Sequence, residues 1–193
     1  MHSLIDFSRH NDRALWAMLC TGVFTLARIG ELVPGSGSQL KVTLESVSIR
    51  GDRGALFLVG TKTDRERKGV TLLFFRNTSV CFPVRAMTAY LSARPKGRKD
   101  SPLFVDSKGH RISQTWVVQR LRTLLSKMGR EGGEFSGISL RRGGAQTLVR
   151  SHANDTIVMG MGRWTSSCFN RCLTVQEQDV EVWQQPMAIQ ART

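Results

Sequence analysis

The ten residues 139–148 constrain the fold of this chain more than any other stretch. They read Ser-Leu-Arg-Arg-Gly-Gly-Ala-Gln-Thr-Leu, so that two adjacent arginines, Arg141 and Arg142, open a predicted helix. The small residues that follow let such a helix pack closely against a neighbour. Planar guanidinium groups at the start of this helix favour the binding of an anion there.

A second cluster of phosphate-binding residue types follows at residues 160–167. Arg163 offers a planar bidentate donor and Trp164 a flat wall, while the glycines allow close backbone approach. Thr165 and Ser166 are typical of a helix N-cap with hydroxyl groups to spare. This cluster also suits a phosphate group.

The charge of the chain predicts a polyanionic partner. Its 193 residues include 28 Lys and Arg against 15 Asp and Glu, which gives a formal net charge of +13. Nucleic acid is the first candidate and an anionic membrane the second. The basic residues are spread along the chain, however, and no apolar run reaches the roughly 20 residues that span a bilayer. A basic surface that is merely solvated is a weak alternative at this magnitude.

One domain is expected for a chain of this length with 40% apolar residues. The four cysteines, at positions 20, 81, 168 and 172, form no CxxC pair and no His/Cys cluster with metal-ligand spacing. We therefore expect reduced thiols in an intracellular protein, with no metal and no cofactor. The N-terminal residues lack the basic and then apolar pattern of a signal sequence.

The apolar pattern predicts an α+β fold in which helices dominate. Helices are expected from Asp12, which is a candidate cap, with a break at Thr21 and Gly22. Further helices are expected at 81–91, with Pro83 near its first turn, and at 114–128, with Ser113 as a candidate cap. Four short β-branched runs predict an antiparallel meander near residues 42–75, with strands at 42–44, 47–50, 55–59 and 70–75. The turn before the last strand is strongly basic, which by itself indicates a solvated charged turn.

Three segments of the chain resemble the catalytic domain of tyrosine recombinases, most closely those of DIRS-like retrotransposons and Crypton transposons. In that group two lines read roughly S-G-H-S-F-R-x-G-A-A-T and G-R-W-x-S-D-A-F-x-x-Y, against S-G-I-S-L-R at 136–141 and G-R-W at 162–164 here. The segment 26–32 resembles the family's T-G-x-R-x-x-E-L line, with Arg28 at the first catalytic arginine and Glu31 at its acidic neighbour. The resemblance implies a mostly helical catalytic domain with a small antiparallel sheet.

The resemblance also implies roles for individual residues. In the family, a tyrosine attacks a DNA phosphodiester with neither metal nor ATP, and guanidinium groups hold the charge that develops on the phosphate. Lys62 matches the lysine that protonates the leaving oxygen. The phosphate-binding positions are Arg28, Arg141, Arg163 and Trp164. The basic residues expected to contact double-stranded DNA are Arg65, Arg67, Lys68, Arg120 and Arg142, of which Arg120 equally suits a solvated helix face.

Two residues depart from the family pattern at chemical positions. Ile138 stands where the family has histidine, and Cys172 stands where it has the nucleophilic tyrosine. A cysteine thiolate attacks phosphorus poorly, and its side chain is shorter than that of tyrosine. We therefore predict a DNA-binding domain with a degenerate active site. The alternatives are an active recombinase that uses Cys172 or a partner's nucleophile, and a basic structural nucleic-acid-binding module.

The resemblance bears finally on assembly and location. The segment 174–183 is a locally acidic helix candidate, and in the family the corresponding segment docks on a neighbouring protomer. Val180 and Trp183 are thus expected either to anchor a homo-oligomer on DNA or, equally, to pack within their own chain. Only a short segment precedes Arg13, so we expect a single domain over 1–193 without the family's N-terminal clamp domain. Either the chain is a fragment, or the protein never encircled DNA. In a eukaryotic host such a protein is expected in the nucleus.

Overall fold

A computed structural model describes the protein over residues 1–33, 35, 42–59 and 68–164. The helices in these ranges are α1 (His10–Phe24), α2 (Ile29–Leu32), α3 (Pro83–Ala93), α4 (Gln114–Lys127), α5 (Ser139–Arg150) and α6 (Asp155–Gly162). The strands are β1 (Val47–Arg50), β2 (Arg53–Leu58) and β3 (Val70–Phe75). The chain divides into two units, residues 1–141 and 142–193. The predicted α+β fold is confirmed, whereas a single domain over 1–193 stays a prediction.

Helix α1 is the central element of the first unit, and residues 14–22 within it are all buried. The helix continues through Thr21 and Gly22, where the sequence predicted a break, because tertiary packing outweighs the roughly 1 kcal/mol cost of a helical glycine. Asp12 is not its cap, since Arg9 holds the N-cap position. The Asp12 side chain is buried and accepts hydrogen bonds from the backbone N–H of Asp6 and from Arg120.

Helix α3 packs beside α1 and begins at Pro83, as predicted. Its Tyr90 is fully buried: the hydroxyl group donates to the carbonyl oxygen of Leu103 at 2.8 Å and accepts from the backbone N–H of Val105 at 2.9 Å. The ring of Tyr90 stacks on that of Phe104, with 5.4 Å between the centroids. Tyr90, the single tyrosine of the chain, is therefore a core residue.

The three strands form one antiparallel sheet in the order β1-β2-β3. Its inner face contributes four buried side chains to the core, those of Leu56, Leu58, Leu72 and Phe74. The strand predicted at 42–44 is absent, since Thr43 makes only an isolated bridge to Pro102 and a 3₁₀ turn follows at Leu44–Ser46. The backbone N–H of Thr43 donates a hydrogen bond to the hydroxyl group of Ser46 in this turn. This N–H therefore does not pair with a neighbouring strand.

Helix α4 follows its sequence pattern closely. The Ser113 hydroxyl group accepts the backbone N–H of Trp116 at 3.2 Å, which confirms Ser113 as the predicted cap. Its buried residues are Val117, Leu121, Leu124 and Leu125, the spacing of one helical face. In the second unit Asn154 caps α6 by accepting from the N–H of Ile157. Among the described residues, no helix has the length and apolarity needed to cross a bilayer.

Candidate functional site

Arg28 lies immediately before helix α2 and is held by a carboxylate from that helix. Its Nη1 donates to Oε1 of Glu31 at 2.8 Å, and its backbone N–H donates to Oε2 of the same side chain, also at 2.8 Å. The Glu31 side chain is 3% exposed, whereas that of Arg28 is 33% exposed. Glu31 therefore fixes Arg28 at both ends while part of the guanidinium group stays accessible.

Arg141, in the first turn of α5, is buried with only 1% of its surface exposed. Its Nη1 donates a hydrogen bond to the carbonyl oxygen of Leu26 at 3.0 Å, across 115 positions of sequence. Leu26 has a φ of +50°, in the left-handed region that costs a non-glycine residue roughly 1–2 kcal/mol. This backbone turn joins α1 to α2, so Arg141 contacts the segment that carries Arg28.

The two arginines rest on a closely packed support. The backbone N–H of Ile29 approaches the carbonyl oxygen of Gly137 at 3.4 Å. The side-chain amide of Gln114, the first residue of α4, packs against Gly137 so closely that an added Cβ would lie 2.7 Å from its Nε2. A side chain at position 137 would therefore require the flexible amide end of Gln114 to move.

Ile138 occupies the position just before α5 and is 46% exposed. The backbone on either side of it is fixed, since the N–H of Ser136 donates to the Ser139 hydroxyl group at 3.0 Å and the Ser139 N–H donates to the Ser136 carbonyl oxygen at 3.1 Å. An apolar side chain is thus presented to solvent three residues before Arg141. It has no group that donates a hydrogen bond or transfers a proton.

In the second unit, Arg163 and Trp164 end helix α6 in a Schellman motif. The Trp164 N–H donates to the Met159 carbonyl oxygen at 3.0 Å, and the Arg163 N–H donates to that of Gly160 at 3.1 Å. Arg163 takes the left-handed position of this motif, with φ 57° and ψ 41°, where glycine is usual. The Trp164 ring lies over Gly162, where an added Cβ would be 1.8 Å from it. The Gly-Arg-Trp sequence is therefore a helix terminus, and the Nε and Nη1 atoms of Arg163 are buried there.

Of the residues expected to contact DNA, Arg142 and Lys68 are exposed. Arg120 instead pairs with Asp12 at 3.0 Å, with 28% of the Arg120 side chain and 5% of the Asp12 side chain exposed. Sequence reasoning missed this pair. The sequence does contain a signal for it, namely that Asp12 is the lone carboxylate in the first turn of an apolar helix. A buried charge of this kind needs a partner of opposite charge.

The structure thus joins the segment that carries Arg28 to the segment that carries Ile138 and Arg141 in the first unit. Arg163 and Trp164 belong to the second unit. Leu26 and Gln114 were not foreseen, because a backbone carbonyl and a packing amide leave no motif in the sequence. The remaining expected residues lie outside the described ranges: Lys62, Arg65, Arg67, Thr165, Ser166, Cys172, Val180 and Trp183.

Solved structures that share this arrangement of helices and sheet are recombinases and an integrase. The site-specific recombinase XerH, in a post-cleavage complex with a palindromic difH substrate, matches 95% of this chain with a TM-score of 0.70 and 14% sequence identity. The XerA recombinase matches 94% with a TM-score of 0.68 and 17% identity. This chain has the tyrosine-recombinase fold. The prediction of that fold is confirmed, while a closer likeness to DIRS and Crypton recombinases stays a prediction.

The tyrosine-recombinase fold also extends to the integrase of the Tn1549 transposon in complex with circular intermediate DNA, which matches 87% of this chain with a TM-score of 0.53 and 11% identity. The chain spans about half the length of these structures, namely 48% of XerH, 58% of XerA and 56% of the Tn1549 integrase. No protein-family model and no curated protein matches the sequence.

Proposed function

We propose that this protein is a tyrosine-recombinase-like domain that binds double-stranded DNA and has lost the ability to cut it. The observation that carries the proposal is the contact of Arg141 with the Leu26 carbonyl oxygen, which joins the arginine of α5 to the segment of Arg28. Guanidinium groups on two segments that are joined in this way suit one backbone phosphate. The net charge of +13 supplies the long-range attraction for DNA.

The proposed loss of cleavage follows from two side chains. Strand cleavage in this fold needs a nucleophile in line with the phosphate and groups that move protons. Ile138 is exposed and apolar at the start of α5, so it contributes neither a proton nor a hydrogen bond. Cys172 stands at the nucleophile position in the sequence, where a thiol is both shorter and less reactive toward phosphorus than the phenol of tyrosine.

Under this proposal the domain derives from the integrase of a transposable element. It has kept the DNA-binding surface of that integrase and lost the catalytic activity. Under this proposal the partners are duplex DNA and, through the C-terminal segment, further copies of the chain. In a eukaryotic host the protein would act in the nucleus, where that DNA is. The family resemblance assigns phosphate-binding roles to Arg28, Arg141, Arg163 and Trp164 and the role of proton donor to Lys62.

The proposal is tested by fluorescence anisotropy with a labelled duplex at several salt concentrations. We expect an affinity that falls steeply with salt, because bound cations are released from the DNA. Arg28→Gln should weaken binding about tenfold and reduce the magnitude of the salt slope by about 1. The matched control is Arg98→Gln, since the Arg98 side chain is 88% exposed and pairs only loosely with Asp100 at 3.2 Å.

Two outcomes would overturn the proposal. Binding that does not depend on salt would exclude recognition of the DNA backbone. Equal losses of duplex affinity for Arg28→Gln and Arg98→Gln would mean that any surface arginine contributes equally to DNA binding. That result would favour a basic structural nucleic-acid-binding module instead. Urea unfolding of both variants separates these outcomes from misfolding, because Arg28 also holds Glu31.

A further inference from the structure

The outer face of the β-sheet is unusually apolar for a surface open to solvent. Cross-strand partners point to the same side of a sheet, and three such pairs, Arg53 with Phe75, Ala55 with Leu73 and Phe57 with Thr71, alternate with the buried inner face. The exposed fractions are 41% for Phe57, 41% for Leu73 and 54% for Phe75. An exposed apolar cluster of this kind marks an interaction surface.

Arginines share this face with the aromatic rings. Arg50 lies opposite Arg53, and both are exposed, as is Ser48 on the same side of β1. The Arg53 guanidinium group stands over the Phe75 ring, 5.9 Å from its centroid, which is within range of a cation–π interaction. A guanidinium group stacked in this way still has in-plane N–H donors for a phosphate group.

The rings are held in place as flat platforms. Gly69, with a φ of +74°, lies beneath Phe57 so closely that an added Cβ would be 2.4 Å from the ring. The Phe57 ring therefore covers a glycine backbone on one side. Phe75 is likewise backed by Arg53. Rigid rings cost little conformational entropy on binding, so they favour stacking of a planar ligand.

The positive charge of this face and the distance between its two phenylalanine rings indicate which kind of molecule it binds. A second copy of a chain with a net charge of +13 would bring arginine against arginine, which disfavours self-association. Phe57 and Phe75 are separated by four residues along the strand direction, about 13 Å. Stacked bases in a duplex are about 3.4 Å apart and bury their faces against one another, so a duplex has no free base faces for these rings. A strand with unpaired bases has both free faces and phosphates.

We propose that the outer face of the sheet binds an unpaired nucleic-acid strand, with bases stacked on Phe57 and Phe75 and phosphate groups at Arg50 and Arg53. This surface uses none of the residues assigned to the proposed duplex-binding site and does not rest on that function. Binding is sequence-tolerant, because every base has a π-face, and it weakens with salt because of the two arginines.

The experiment measures the binding of an oligothymidine that contains one 2-aminopurine, whose fluorescence falls when its base stacks. The variants are Phe75→Ser, Phe75→Trp, Leu73→Ser and, as a control off the sheet, Val80→Ser, since Val80 is 66% exposed. We expect Phe75→Ser to weaken binding about tenfold and to abolish the fluorescence change, while Phe75→Trp retains both. Leu73→Ser and Val80→Ser should change affinity less than threefold.

Equal losses for Phe75→Ser and Val80→Ser would overturn the proposal, as would a wild-type protein that leaves the 2-aminopurine fluorescence unchanged. A dimer in light scattering that Phe75→Ser dissolves would assign the face to a second copy instead, and would also overturn it. The affinity of each variant for duplex DNA is measured in parallel. A loss confined to the single strand supports the sheet face, whether or not the duplex-binding proposal holds.

Discussion

The carbonyl oxygen of Leu26 accepts a hydrogen bond from the buried guanidinium group of Arg141 at 3.0 Å. Leu26 sits in a left-handed conformation between α1 and α2, and Arg141 lies in the first turn of α5. The contact therefore ties a strained turn to the start of a helix that is remote in sequence. Because Arg28 follows Leu26 by two residues, this bond and the one from the Ile29 N–H to the Gly137 carbonyl oxygen connect the segments that carry Arg28 and Arg141.

Replacing Arg141 tests how much the first unit depends on this contact. Arg141→Met should lower the free energy of unfolding by about 2–3 kcal/mol, since it leaves the buried Leu26 carbonyl oxygen without this donor. Arg142→Met on the same helix is the matched control, because Arg142 is exposed and should shift stability by less than about 0.5 kcal/mol. Urea unfolding followed by circular dichroism measures both. Similar effects of the two substitutions would show that Arg141 is not a structural anchor.

Arg163 occupies a backbone position that favours glycine. Arg163→Gly and Arg163→Ala both remove the guanidinium group, but only the first relieves the left-handed conformation. The glycine variant should therefore be about 1 kcal/mol more stable than the alanine variant in urea unfolding. Both variants should bind duplex DNA more weakly than the wild type. Equal stability of the two would mean that position 163 does not keep this conformation in solution.

Alkaline pH should weaken the fold through Tyr90. Burial raises the pKa of the Tyr90 phenol, which donates to the Leu103 carbonyl oxygen, although the N–H of Val105 partly offsets the shift. The unfolded phenol titrates near pH 10. A raised folded pKa stabilises the protein fully below that value, and this contribution is lost as the pH rises through the folded pKa.

The slope of the unfolding free energy between pH 9 and 11 measures this effect. Tyr90→Phe should flatten the slope, even though it also lowers stability at neutral pH by removing two hydrogen bonds. Burial also raises the pKa of the Cys20 thiol, which contributes in the same direction. The Cys20→Ala background separates the thiol from the phenol. An unchanged slope in the Tyr90→Phe protein would contradict the buried phenol.

The pair of Arg120 and Asp12 separates a structural arginine from a DNA-binding one. Arg120→Ala leaves the buried Asp12 carboxylate without its cation and should destabilise the protein by about 2 kcal/mol. Its effect on duplex affinity, measured by anisotropy, should be smaller than that of Arg142→Ala. If Arg120→Ala destabilised the protein only weakly but lowered the affinity for duplex DNA more than Arg142→Ala does, Arg120 would be a DNA-contacting residue.

Much of the fold could be predicted because the local signals were consistent. The cap at Ser113, the proline at the start of α3 and the turn-separated strands β1 to β3 each have a local physical cause. The errors lay where packing overrides local preference. Gly22 does not end α1. Residues 42–44 form no strand, because their backbone hydrogen bonds go to Ser46, Ser101 and Leu103.

The candidate site was predictable only through its motifs. The residues around Arg28 and Arg141 resemble two sequence lines of one family, and the solved structures confirm the fold of that family. The burial of Arg141 could not be predicted from the sequence. Nor could the two hydrogen bonds that Glu31 accepts from the backbone N–H and the guanidinium group of Arg28. Burial and pairing depend on contacts between distant segments, and no periodicity encodes those contacts.

Under the proposed function, this protein holds DNA with a recombinase fold but has lost its cleavage chemistry. The most direct measurement is the covalent protein–DNA adduct formed on a nicked duplex substrate, resolved on a denaturing gel. We predict no adduct for the wild type and an adduct for the Ile138→His, Cys172→Tyr double variant. A wild-type adduct that disappears in Cys172→Ala would contradict the claim and identify an active recombinase with a cysteine nucleophile.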